Sequence, residues 1–202
     1  MTARIRHLVA GQWRPGRGER LLSVNPARPS VLVAEGVCAV ADDVNEAVSA
    51  AAGALPGWSG AGIHARGAVL SAAAVIVERH AQDWGLELTA EEGKTRAEGV
   101  AEVGRAAQIL RYYAAEGDRA AGEIFSSPRA GEQILVTRKP VGVIGVITPF
   151  NFPIAIPAWK IAPALVYGNT VVWKPASAVP LLAIRLAEAL PKPGCRRVCS
   201  IW

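Results

Sequence analysis

The chain has 202 residues, 51% of them hydrophobic and 19% charged, with three cysteines and three histidines. So apolar a chain is not a disordered tail, and its length suits one large domain or two small ones. Three cysteines exclude a disulfide framework and point to a reducing, cytoplasmic setting, and His7, His64 and His80 lack metal-ligand spacing, so no metal is expected.

The formal net charge of +5 suggests nucleic acid at first sight. However, Lys192, Arg196 and Arg197 crowd into the last twelve residues, and without them the excess falls to about +2. The other basic residues are spread among acids, as on an ordinary solvated surface, and no nucleic-acid partner is expected. Met1–Ala10 lacks a signal-peptide apolar run. Pro140–Trp159 is uncharged over twenty residues, the length of a membrane span, but Pro140, Pro149, Pro153 and Pro157 prevent one continuous helix. A buried strand and a turn are expected there instead, and no membrane partner.

In chain order, His7–Trp13 and Leu21–Val24 flank a Gly- and Pro-containing stretch, Arg14–Arg20, which predicts a hairpin. Val31–Val37 is a third strand. Asp42 and Asp43 open a helix over Val44–Leu55, apolar at positions 44, 47, 48, 51, 52 and 55, and Pro56-Gly57 is expected to end it. Gly60-Ala61-Gly62-Ile63-His64-Ala65 matches a dinucleotide-binding fingerprint, but no strand precedes it, so these glycines read as a helix-entry loop. Helices follow over Ile63–His80, Gln82–Glu92 and Thr95–Ala121. Glu123–Phe125 and Glu132–Thr137 form a β-ribbon around the turn Ser127–Gly131.

After Pro140 the pattern changes. Val141–Thr148 (VGVIGVIT) predicts a strand buried on both faces of a parallel sheet. Phe152–Val166 is a helix, Thr170–Trp173 a buried strand and Pro180–Leu190 a helix. The alternation is half of a doubly wound α/β fold, whose ligands bind at the carboxyl ends of the strands. Attention therefore falls on Thr148–Asn151 and Lys174–Ser177. Lys174 either faces that crevice or snorkels at a strand end. Asn151 either offers its amide N–H groups to a ligand or bonds its own backbone, as turn asparagines do.

Within Val141–Ser177, the segments ITPFNFP, WKIAPAL, GNTVV and KPAS stand in order and at the spacing of the aldehyde dehydrogenase superfamily, which this stretch closely resembles. Glu91-Glu92-Gly93-Lys94-Thr95 and the long helix through Tyr112-Tyr113 also look like that family. The resemblance runs from about Val9 to Leu190 and is nearest to the α-ketoglutaric and succinate semialdehyde dehydrogenases. It implies a partial dinucleotide-binding fold: an N-terminal part of the cofactor domain (1–121), an oligomerisation ribbon (122–140) and the first half of a Rossmann-like unit (141–190). A kink rather than a helix end is implied at Pro163.

The resemblance also implies an NAD(P)-dependent oxidation of an aldehyde to a carboxylate in a homo-oligomer. Asn151 matches the family's oxyanion donor, and Ile147, Thr148, Pro149 and Phe150 would line the nicotinamide-side approach. Lys174 matches the lysine that bonds the adenosine ribose, with Pro175, Ala176 and Ser177 beside it. Ser177 stands where many NAD-preferring members carry a glutamate, which implies that NADP is accepted at least as well as NAD. The family's nucleophilic cysteine and general-base glutamate are implied to lie beyond Trp202. Cys38, Cys195 and Cys199 match no nucleophile position, and Cys38 reads as a small buried hydrophobe. The chain alone is thus expected to be inactive, or else to serve as a non-catalytic subunit packed on full-length partners.

The tail over 191–202, PKPGCRRVCSIW, departs from the family, which runs toward Gly-Leu-Pro-x-Gly-Val-x-Asn. One GC-rich back-translation of it, read from the third base, encodes Glu-Ala-Gly-Leu-Pro-Ala-Gly-Val-Phe-Asn-Leu. A frameshift is the expected origin of this tail, with a natural C-terminal tail as the alternative.

Overall fold

The computed structural model describes residues 2–190 and the backbone of 199–201. The reading of the tail as aberrant falls mostly outside the described residues.

The chain opens with β1 (Ala3–Arg4), β2 (His7–Val9) and β3 (Gln12–Arg14), then β4 (Arg20–Asn25) and β5 (Arg28–Val37). The expected hairpin across Arg14–Arg20 does not form. Instead β2 pairs with β3, and β4 pairs with β5. The first turn uses Ala10 (φ 52°) and Gly11 (φ 82°), two consecutive left-handed residues of the kind a tight two-residue hairpin turn requires. The second is closed by Asn25, whose Oδ1 accepts from the amides of Ala27 (2.9 Å) and Arg28 (3.1 Å).

Four helices follow: α1 (Ala41–Gly60), α2 (Ile63–Arg79), α3 (Ala81–Glu92) and α4 (Arg96–Ala114), the last closed by a 3₁₀ turn over Ala115–Asp118. As expected, acids open α1, and the Asp43 carboxylate accepts from the Val40 amide at 3.0 Å. Pro56 does not end α1, which continues for one more turn. That turn buries Trp58, whose Nε1 donates to the Leu165 carbonyl at 3.0 Å, so tertiary packing outweighs the missing backbone bond at the proline. Gly62 then caps the start of α2, and the glycine pair serves as a corner between helices. Buried Arg66 ties this corner to the core by donating to carbonyls of Trp58, Ser59, Ala61 and Val166. No single helix among the described residues is long and apolar enough to cross a membrane. The pair α1 and α2 passes by length and composition only, bent by 116°.

Among the described residues the ribbon of β6 (Gly122–Ser126) and β7 (Gln133–Thr137) pairs with itself alone, and every residue of its two strands is exposed. Then come β8 (Val143–Ile147), α5 (Ala155–Val166), β9 (Thr170–Lys174), α6 (Leu181–Ala189) and β10 (Cys199–Ile201). The uncharged stretch 140–159 is thus strand, turn and helix start, and α5 runs on past Pro163. The main sheet has the order β3-β2-β10-β9-β8, with β8, β9 and β10 parallel.

One expectation about this sheet is corrected. Among the described residues β8 is an edge strand, and its residues are half-buried or exposed apart from Val146. A β-branched run does not say how many neighbours a strand has. As expected, β9 is a buried strand, flanked by β8 on one side and β10 on the other. Four of its five residues are buried, Trp173 completely. The core lies where α2, α4, α5 and α6 meet β9, around Leu70, Val103, Leu110, Leu165, Trp173 and Leu182.

Candidate functional site

The parallel pair β8 and β9 places the site. Their register sets Ile147 opposite Lys174, so both strands release their chains side by side at their carboxyl ends. Parallel sheets leave ligand crevices there. The turn over residues 148–151 leaves β8, and residues 175–177 leave β9. The start of the first turn is fastened to β9: Trp173 Nε1 donates to Thr148 Oγ1 at 2.9 Å, and the Thr148 amide donates to the Lys174 carbonyl at 3.3 Å.

The far end of that turn is fastened by the helical layer. Lys94 Nζ donates to the Asn151 carbonyl at 2.9 Å and to Glu102 Oε2 at 2.6 Å, lies 3.0 Å from a Glu92 oxygen, and sits 4.6 Å over the Phe152 ring. The other oxygen of Glu102 accepts from the amides of Ile154 (3.1 Å) and Ala155 (3.2 Å) at the start of α5. No local side chain caps α5, so Glu102, buried on α4, supplies the negative charge its N-terminus favours. Gly93 ends α3 at φ 93°, a left-handed cap that turns the chain toward Lys94. A Cβ at Gly99 would sit 2.5 Å from the Gly85 carbonyl oxygen, so glycine there lets α3 and α4 approach closely enough to carry this cluster.

Asn151 is exposed, and its side-chain amide makes no hydrogen bond among the described residues. The alternative in which it bonds its own backbone is therefore not adopted. Its main chain is held while its N–H donors are free, an arrangement suited to stabilising a developing negative oxygen. Asn151 lines a cavity of about 460 Å³ with Lys94, Glu102, Arg105 and Phe152.

Lys174 is half-buried, and its Nζ lies 3.4 Å from Ser177 Oγ. Lys174, Pro175, Ala176 and Ser177 line a second cavity of about 130 Å³, which also receives His7 and Cys38. That volume is below the roughly 300–1,000 Å³ of ordinary ligand pockets and suits one moiety of a larger molecule. Cys38 is half-buried rather than buried. Ile147 and Phe150 are 80% and 61% exposed, and neither they nor Pro149 line either cavity. Of the residues singled out from the sequence, Asn151 lines the first cavity and Lys174, Pro175, Ala176 and Ser177 the second, while Ile147, Thr148, Pro149 and Phe150 line neither.

Sequence reasoning missed the parts played by Lys94, Glu102 and Glu91. Glu91 is buried, accepts from Ser23 Oγ at 2.8 Å, and takes the Leu181 amide at 2.9 and 3.2 Å, so it caps α6 as Glu102 caps α5. Two acids beside a glycine and a lysine were the visible signal, though not their targets.

The arrangement defines a class: an α/β chain with parallel strands that release two site segments at adjacent carboxyl ends, under a layer of helices. Residues 13–196 match the aldehyde dehydrogenase family model, and the chain belongs to that family. It is 39% identical over 186 residues to the 2,5-dioxopentanoate dehydrogenase of Saccharolobus solfataricus, covering 92% of this chain and 39% of that one. It is also 39% identical over 189 residues to the α-ketoglutaric semialdehyde dehydrogenase of Bacillus subtilis, covering 93% and 39%. Lactaldehyde dehydrogenase from Escherichia coli superposes with a TM-score of 0.93 at 30% identity, over 100% of this chain and 43% of that one. The NADP-dependent glyceraldehyde-3-phosphate dehydrogenase of Bacillus halodurans, complexed with NADP, gives 0.90 at 34% identity, over 100% and 43%. The chain thus spans about two fifths of the length of these relatives.

Burial pushes the Glu91 carboxyl up to about 7, against the bonds from Ser23 and Leu181, which favour its ionised form. Between about pH 4.5, where it ionises when unfolded, and about 7, the folded chain holds this proton more tightly. Glu91 therefore makes stability fall as pH rises through that window, by at most roughly 3 kcal/mol, with no further change above it. Urea unfolding from pH 4.5 to 8 should show this fall in the wild type relative to Glu91→Gln. Parallel curves for the two proteins would show that Glu91 ionises in the folded chain as it does in the unfolded one.

Proposed function

We propose that this chain is the N-terminal portion of an NAD(P)-dependent aldehyde dehydrogenase that oxidises a semialdehyde to a carboxylate. The observation that carries the reading is the Ile147–Lys174 pairing, which brings the Asn151 turn and the Lys174–Ser177 segment out of neighbouring strands. In this reading Asn151 donates its amide N–H to the aldehyde oxygen as that oxygen gains charge. Trp173, Lys94 and Glu102 hold the turn, so the donor pays little reorganisation when the charge appears. The nucleophile and general base are supplied by residues outside this chain. Cys38 lines the Lys174 cavity rather than that of Asn151. The semialdehyde preference is supported by the names of the two relatives given above.

The residues at β9 fit the adenosine ribose of NAD(P). Lys174 Nζ has Ser177 Oγ as its hydrogen-bond partner, which leaves N–H donors for sugar hydroxyls, and Ser177 is exposed. Lys174 and Ser177 would hold the cofactor, and the chemistry it would supply there is acceptance of a hydride. No carboxylate stands at Ser177 to repel a 2′-phosphate, and Lys174 three residues before it attracts one. The full-length protein is expected to reduce NADP at least as well as NAD with a semialdehyde, and residues 1–202 alone are expected to reduce neither. Steady-state kinetics of Ser177→Glu should shift preference toward NAD. An unchanged NADP-to-NAD ratio would remove Ser177 from the cofactor site, and turnover by residues 1–202 would place the chemistry within them.

A second reading, a non-catalytic subunit that packs on full-length partners, is favoured by the ribbon. Ile124, Phe125, Ile134, Leu135 and Val136 are all exposed on a two-stranded sheet with no other strand beside it among the described residues. Such edges template association. Light scattering on a sizing column should find the chain associated with itself or with a full-length partner. A monodisperse species near 21.2 kDa would count against it.

A further inference from the structure

The cavity beside Asn151 contains charge that the turn does not use. Its cations are Lys94 and Arg105, and its acids are Glu98 and Glu102. Lys94 is neutralised by Glu92 and Glu102, and its side chain is only 13% exposed. Glu102 is taken up by Lys94 and by the first amides of α5. Glu98 closes the capping box of its own helix, where it accepts from the Thr95 amide at 2.9 Å and from Thr95 Oγ1 at 2.7 Å. Arg105 remains. It is exposed on α4, it has no carboxylate partner among the described residues, and its Nη1 donates to Gln108 Oε1 at 3.1 Å.

Arg105 is also placed on a platform. Its guanidinium carbon lies 5.6 Å from the Trp159 ring of α5, and Tyr113 packs edge-on against that ring at 5.9 Å. A cation at that distance is attracted by the indole ring without spending its N–H groups, so apart from the Nη1 bond to Gln108 the donors of Arg105 remain for a carboxylate. Along α4, residue 105 lies about 4.5 Å beyond Glu102, the residue that fastens the Asn151 turn. Ala101, Phe152 and Ala155 supply apolar lining in the same cavity. One end of the cavity's chemistry thus stabilises a developing oxyanion, its lining suits a short aliphatic chain, and its unneutralised cation suits an acid.

We infer that Arg105 is a specificity residue: it takes the distal carboxylate of an aldehyde acid whose aldehyde carbon is presented to Asn151. The inference rests on the proposed dehydrogenase activity and goes further by assigning the acid end of the substrate to one side chain.

The test uses the full-length enzyme with 4-oxobutanoate and with butanal, which has the same chain length and no charge. Arg105→Gln is expected to lower kcat/KM for 4-oxobutanoate about 10- to 100-fold, the worth of a charge-assisted bond, and to do so through KM. Butanal turnover should stay within about twofold. Arg105→Lys should recover part of the loss, since it restores the charge without the fork. Equal losses on both substrates would overturn the inference and leave Arg105 as a packing residue against Trp159, and no loss on either would overturn it outright. A wild type that oxidises neither aldehyde would overturn the activity reading and this inference with it, whereas activity on butanal with an unaffected 4-oxobutanoate constant would overturn this inference alone.

Discussion

Two buried carboxylates reach out of the helical layer and cap the helices that follow the parallel strands. Glu102 takes the first amides of α5 and Glu91 the first amide of α6, and neither helix has a side-chain cap of its own. At Glu102, which is paired with the Lys94 ammonium, a hydrogen bond to the charged group contributes about 1.5–3 kcal/mol, and the helix dipole adds to it. The position matters more than the sum. Glu102 also holds Lys94, and Lys94 holds the Asn151 carbonyl, so one carboxylate couples α4, the end of α3, and the turn after β8. Removing it would leave a lysine ammonium that is 13% exposed short of one partner, which is costlier than losing a surface pair.

The site inherits its geometry from that coupling. At one end of the turn, Trp173 grips Thr148 from the sheet. At the other, Lys94 grips Asn151 from the helices. The Asn151 side chain projects from a backbone fixed at both ends, so only its own rotamer remains to be set when it meets a developing charge. The neighbouring β9 segment is held differently. Lys174 belongs to the strand, and its ammonium reaches only Ser177, which leaves it adaptable to a sugar or a phosphate. The strand pair thus presents a donor on a fixed backbone and an adaptable cation side by side.

The elements that place the site were legible in the sequence, while the contacts that hold it were not. The β-branched run Val141–Thr148, the helical segment Phe152–Val166 and the run Thr170–Trp173 located β8, α5 and β9 to within a few residues, because local pattern and fold agree there. The N-terminal hairpin was misplaced because Ala10, an ordinary helix former, takes a left-handed turn usually marked by Asn or Gly. Pro56 does not stop α1, since burial of Trp58 carries the helix past it. A run such as VGVIGVIT gives a strand but not its place in the sheet, and β8 lies at the edge. The caps from Glu91 and Glu102 span 90 and at least 52 residues of sequence, and no local pattern encodes a partner at that distance.

The central claim is that Glu102 fastens the turn bearing Asn151. Amide hydrogen exchange on the wild-type chain and on Glu102→Ala tests it most directly. The expected result is a loss of protection at Ile154 and Ala155 and through residues 148–156, with the β8–β9 pairing and the interior of α4 still protected. Unchanged protection at those two amides would contradict the claim and show that the turn is held by the sheet alone.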